Sequence, residues 1–159
     1  MSNDTEIVMT SSGYQRIERE LERLRTVERR GVAERIRESK QFGEFAENAE
    51  YEEAKIEQAF VEGRIRDLRR ILQHAQVLDQ AEIPTDHIGV GSVVTVVDDE
   101  LGEEWQFTLV GSVETDPDND RISDESPIGQ ALLGKRVGDQ VDVAVPDGRI
   151  RYTIKSIGK

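Results

Sequence analysis

Phe42-Gly43-Glu44-Phe45-Ala46-Glu47-Asn48-Ala49-Glu50-Tyr51 is the stretch on which the reading of this chain turns. It is a short, acid-rich break between two long segments of helical periodicity. Upstream, Tyr14, Ile17, Leu21 and Leu24 recur at alternating steps of three and four; Val27 or Glu28, then Val32 and Ile36, continue the stripe less cleanly. That is a coiled-coil seam of about 30 residues, roughly 45 Å of helix. Downstream, from about Ala46 to Ala75, the apolar stripe is read as Ala49, Ile56, Phe60, Leu68, Leu72 and Ala75. A break of a few residues forces the two helices to lie antiparallel. Glu44 and Glu47 then stand at the far end of a rod, where a folded core has no use for them.

Working outward from the rod, Thr10-Ser11-Ser12 offers an N-cap for the first helix, after the short apolar run Ile7-Val8-Met9. Gly43 is the natural stop. Gly31 and Gly63 each cost about 1 kcal/mol relative to alanine in a helix interior. Counting back from the tip sets Gly31 opposite Phe60, so the glycine is expected to make room for that ring.

Ile83-Pro84-Thr85-Asp86 breaks the helical pattern and reads as a linker, and beyond it the periodicity changes to short strands. Strands are expected at 92–97, 105–110, 140–145 and 149–157, with the turn signal Pro146-Asp147-Gly148 between the last pair. Ser126-Pro127 and Gly134 bracket a short helix near 128–133. The fold class is α+β: a helical hairpin over residues 1–82 with an acidic tip, a linker at 83–87 and a small α+β domain over 88–159.

Charge is unevenly placed along a chain of net −12. Arg16 to Lys40 holds nine Lys or Arg against six acids; Gln41 to Glu62 holds seven acids and only Lys55; Asp98 to Glu125 holds eleven acids and only Arg121. The average argues against broad adhesion to nucleic acid or acidic membranes, yet a basic shaft can still meet a phosphate backbone locally. The plainer reading of the shaft is a solvated helix laced with intrahelical ion pairs. Cysteine is absent, which removes disulfides and thiolate metal sites. His74 and His87 are isolated, the first residues are polar and acidic rather than a basic and apolar leader, and no apolar run approaches a membrane span. A cytoplasmic protein is expected.

Glu44 and Glu47, three apart, would share a helical face at about 5–6 Å between Cβ atoms. Such a pair can contribute hard oxygen ligands to a divalent cation, but Mg²⁺ wants six, so a partner must complete the shell. Alternatively, the acids only complement a helix dipole. Ser123-Asp124 and the histidines show no nucleophile–base spacing, and Gly129 to Gly134 lacks the lysine and hydroxyl of a phosphate loop. Trp105 and Phe107 are expected to sit half in the core rather than to form a base-stacking platform.

Several motifs, in order, carry a resemblance: the tip Gly43 to Tyr51, Met9 to Gly13 with Leu21 and Leu24, Glu62-Gly63-Arg64-Ile65, Ala75 to Asp79, Ser126-Pro127-Ile128-Gly129 and Leu133-Gly134-Lys135. Together the chain resembles the bacterial Gre transcript-cleavage factors, of the GreA type, over nearly its whole length. The resemblance implies a protein that is no enzyme alone. It implies a monomer that binds RNA polymerase through the secondary channel and stimulates the polymerase's own endonucleolytic cleavage of a backtracked RNA 3′ end. It implies an FKBP-like second domain docking on the β′ coiled coil at the channel rim, with Ser126, Pro127, Ile128 and Gly129 at that contact. Glu44 and Glu47 would place Mg²⁺ shared with the polymerase active site, and Arg29, Arg30, Arg35, Arg37 and Lys40 would face the extruded RNA. Two positions depart from the pattern. Glu44 stands where the family usually has Asp, and Ala46 where a polar residue such as Ser is common. The Glu-for-Asp change keeps open a rival in the same channel, a Gre-like inhibitor of the polymerase. A peptidyl-prolyl isomerase and a coiled-coil scaffold are the readings from other classes.

Overall fold

The computed structural model describes residues 6–40 and 49–159. The chain divides into two compact units, one formed by the residues up to Gly13 with Gln76–Lys159, the other by Tyr14–Ala75.

The second unit is the helical hairpin. Its first arm runs as α1 (Ser11–Arg23), a π-helical turn (Leu24–Glu28) and α2 (Arg29–Lys40); its second arm is α3 (Ala49–His74). The π turn explains why the first stripe loses its beat. Ile17, Leu21 and Val32 are buried as expected, and Ser39 joins them downstream. Continuing the earlier rhythm from Leu24 would instead have presented Gly31 and Arg35. One extra residue in the turn re-phases α2 so that a valine, not a glycine, enters the seam. The Thr26 hydroxyl donates to the Glu22 carbonyl (2.8 Å) beside the widened turn.

In α3 the expected stripe holds at Leu68 and is corrected at Ala49, Ile56 and Phe60. The buried residues are Ala54, Val61, Ile65, Leu68 and Ile71, whereas Ile56 and Phe60 are 70% and 71% exposed. The path through 54, 58, 61, 65, 68, 72 and 75 keeps steps of three and four without a slip, which a stripe through Phe60 cannot do. The expected seat for Phe60 on Gly31 is therefore overturned: the nearest side-chain atom to a Cβ at Gly31 would be Arg35 Nη1, 3.9 Å away.

The first unit carries two sheets. β1 (Ile7–Thr10) pairs with β2 (Ala75–Leu78), and a five-stranded sheet has the order β5-β4-β3-β7-β6. The strands of the larger sheet are β3 (Val93–Asp98), β4 (Glu104–Val110), β5 (Arg121–Ser123), β6 (Gln140–Val145) and β7 (Gly148–Gly158), with α4 (Pro127–Leu132) before β6. All pairs within it are antiparallel except β4 with β5. Period-two alternation puts Val94, Val96, Phe107, Leu109, Val141, Val143 and Ile154 on one face, and Leu132 of α4 joins Ile88 against them. Trp105 is partly buried, as expected, whereas Phe107 beside it lies wholly in the core.

The sequence places the division of the chain at 83–87, but the compact units part at Gly13 and Ala75. β1 draws the N-terminal residues to β2, and the expected linker is built into the sheet unit. Ile83 is buried there, and the Ser92 hydroxyl donates to the Pro84 carbonyl (3.3 Å).

Candidate functional site

The hairpin carries its ion pairs by a simple rule. Each seam residue is followed on one flank, and preceded on the other, by a neighbour about 100° round the helix. Arg29 and Glu62 both stand one residue after the seam and meet in a two-pronged bond, Nε to Oε2 at 2.8 Å and Nη2 to Oε1 at 2.9 Å. Arg64 and Glu20 both stand one residue before it and pair at 2.9 and 3.2 Å; Arg35 and Glu57 pair on that same flank. Three links across the arms thus fix the register and give each flank its own character.

The flank of Arg29 is basic. Arg37, Lys40, Lys55, Arg66 and Arg69 all occupy the position one residue after the seam, with Arg30 behind them. Glu62 registers this field: the Arg29 hydrogen bond above all, then the charges of Arg29, Arg66 and Arg69, hold its carboxyl below the usual range. The same bond raises the Arg29 guanidinium. Of the five basic residues singled out from sequence, Arg29, Arg37 and Lys40 share this flank with Arg30 at its edge. Arg35 lies on the other one. Arg66 and Arg69 were missed because they come from the second helix; a seam in correct phase would have found them.

Toward the tip, the arms enclose a cleft of about 260 Å³ lined by Arg35, Glu38, Ser39, Glu50, Glu53, Ala54 and Glu57. Glu50 and Glu52 occupy the first turn of α3, where negative charge complements the helix dipole. Glu44 and Glu47 lie outside the described residues. Among the described residues no group of three or more His, Asp or Glu could hold a metal ion. The donor chemistry of Glu44 and Glu47 suits Mg²⁺, but two carboxylates fall short of its six ligands.

In the sheet unit, Ser126 caps α4: its hydroxyl accepts from the Gly129 N–H (3.1 Å) and donates to the Ser123 carbonyl (2.6 Å). A Cβ at Gly129 would overlap that carbonyl and stand 2.9 Å from Asp124 Cα. Ile128 packs on the core, while Pro127 is exposed. Three of the four signature residues thus build the corner that carries the fourth. Neighbouring Asp124 has its carboxyl pushed up, first by burial and then by Glu125.

The sequence of the chain matches two family models, the N-terminal domain of transcription elongation factors over residues 7–77 and the GreA/GreB C-terminal domain over 83–159. The chain belongs to the GreA/GreB family of transcription elongation factors. It is 50% identical over 159 residues to transcription elongation factor GreA of Acetivibrio thermocellus, covering 100% of both chains. It is 50% identical over 153 residues to GreA of Thermoanaerobacter pseudethanolicus, covering 96% of this chain and 98% of that one. Among solved structures, GreA factor homolog 1 of Thermus thermophilus is 32% identical over 97% of this chain and 99% of its own, with a TM-score of 0.45. The family is named for a role in transcription elongation rather than for a reaction of its own. Among the described residues no helix is long and apolar enough to cross a membrane.

Proposed function

We propose that this chain is a transcript-cleavage factor that works in the cytoplasm on backtracked RNA polymerase. In this reading the hairpin enters the secondary channel, and the basic flank of Arg29, Arg37, Lys40, Arg66 and Arg69 lies along the extruded RNA. The sheet unit is the FKBP-like docking domain, holding the β′ coiled coil at the channel rim near Ser126, Pro127, Ile128 and Gly129, and the chain acts as a monomer. Glu44 and Glu47 contribute two oxygen donors to Mg²⁺ shared with the polymerase, whose own acidic residues complete the shell. When bound, that ion supplies Lewis-acid stabilisation of charge and activation of water.

The observation that carries this reading is the segregation of charge on the hairpin. Arginines from both helices gather on one flank of a rod whose connecting segment holds Glu44 and Glu47 in the Gre tip pattern. A scaffold would need neither. The deciding experiment is RNA cleavage by a stalled, backtracked polymerase with and without the protein. Stimulated cleavage that Glu44→Ala and Glu47→Ala abolish, with polymerase binding intact, supports the reading. Suppressed cleavage supports the channel-blocking inhibitor instead, and no effect at all removes both.

A further inference from the structure

We draw no further inference here: the strongest candidate, the cleft that Glu6, Val8, Val113, Asp124 and Glu125 line between β1 and the α4 corner, belongs to the docking corner already described, and nothing in the structure shows what covers it.

Discussion

Gly13 has no Cβ because the carboxylate of Glu114 occupies the place where one would go. A Cβ there would overlap Oε1 and stand 2.8 Å from Cγ. Glu114 is fully buried. It accepts from the Thr10 N–H (2.8 Å), the Thr10 hydroxyl (2.5 Å) and Arg121 Nη2 (2.7 Å). Thr10 in turn caps the helix, its hydroxyl accepting from the Gly13 N–H (3.1 Å). The start of α1 is thus held by a carboxylate 104 residues further along the chain.

Gly13→Ala should destabilise the sheet unit by about 1–3 kcal/mol through this overlap. Glu114→Ala should lose roughly 3–5 kcal/mol, because Arg121 is left without its buried partner. In the Glu114→Ala background Gly13→Ala should become nearly neutral. Urea unfolding followed by the fluorescence of Trp105, the single tryptophan, reads this unit, and additive losses would deny the coupling.

The α4 corner separates structure from docking. Ser126→Ala should lose about 1 kcal/mol with its cap. Gly129→Ala should lose about 2 kcal/mol or more, since the group in the way is backbone that cannot step aside. Pro127→Ala, at an exposed position, should leave the unfolding curve unchanged and lower polymerase affinity. A destabilised Pro127→Ala variant would instead give that residue a structural role.

Neighbours in α3 should behave oppositely. Val61 is 4% exposed, and Val61→Ala should lose about 1–3 kcal/mol of hairpin stability. Phe60→Ala should change it by less than about 0.5 kcal/mol despite removing the larger side chain. Helix-band circular dichroism during thermal unfolding distinguishes the two.

That contrast also marks what the sequence made legible. The strands of the sheet unit stood out because period-two alternation and turn residues agree there, as at Pro146-Asp147-Gly148. The first helix was readable cleanly as far as Leu24 and again at Val32, which is buried; between them the π turn inserts a residue without any breaker to announce it. In α3 the bulky pair Ile56 and Phe60 outweighed smaller Ala54 and Val61, although continuity of the seam decides burial and size does not. β1, β2 and β5, of four, four and three residues, are too short to show a period. Glu114 was invisible because its meaning lies wholly in contacts distant in sequence, and the signature Ser126 to Gly129 was read for docking before its part in building the corner could be seen.

Acid should loosen the hairpin at the Arg29–Glu62 link. The folded-state pKa of Glu62 is depressed, chiefly by the Arg29 hydrogen bond. Its contribution is therefore fully present above the ordinary glutamate pKa of about 4.3 and disappears as pH falls through the lower folded value. Wild type and Glu62→Gln should differ in hairpin melting temperature at pH 7 and converge as pH falls below the ordinary value of about 4.3 and through the depressed folded one. A gap that stays constant however far the pH is lowered would mean that packing, not charge, holds the link.

Arg66 and Arg69 provide the sharpest check on the basic flank, because the reading of the first helix alone gives them no role. Both are exposed, and both act electrostatically on Glu62 beside Arg29. If the flank lies along extruded RNA, Arg66→Gln/Arg69→Gln should weaken action on long backtracked transcripts more than on short ones, as should Arg30→Gln/Arg37→Gln. A single strand bound by arginine releases counterions, so each phosphate that a variant no longer neutralises should flatten the plot of log affinity against log salt by roughly 0.7. Arg35→Gln is the internal control: its guanidinium sits on the other flank, paired with Glu57, and its removal should leave the slope unchanged. Equal slopes for all three variants would reduce the arginines of both helices to a solvated surface.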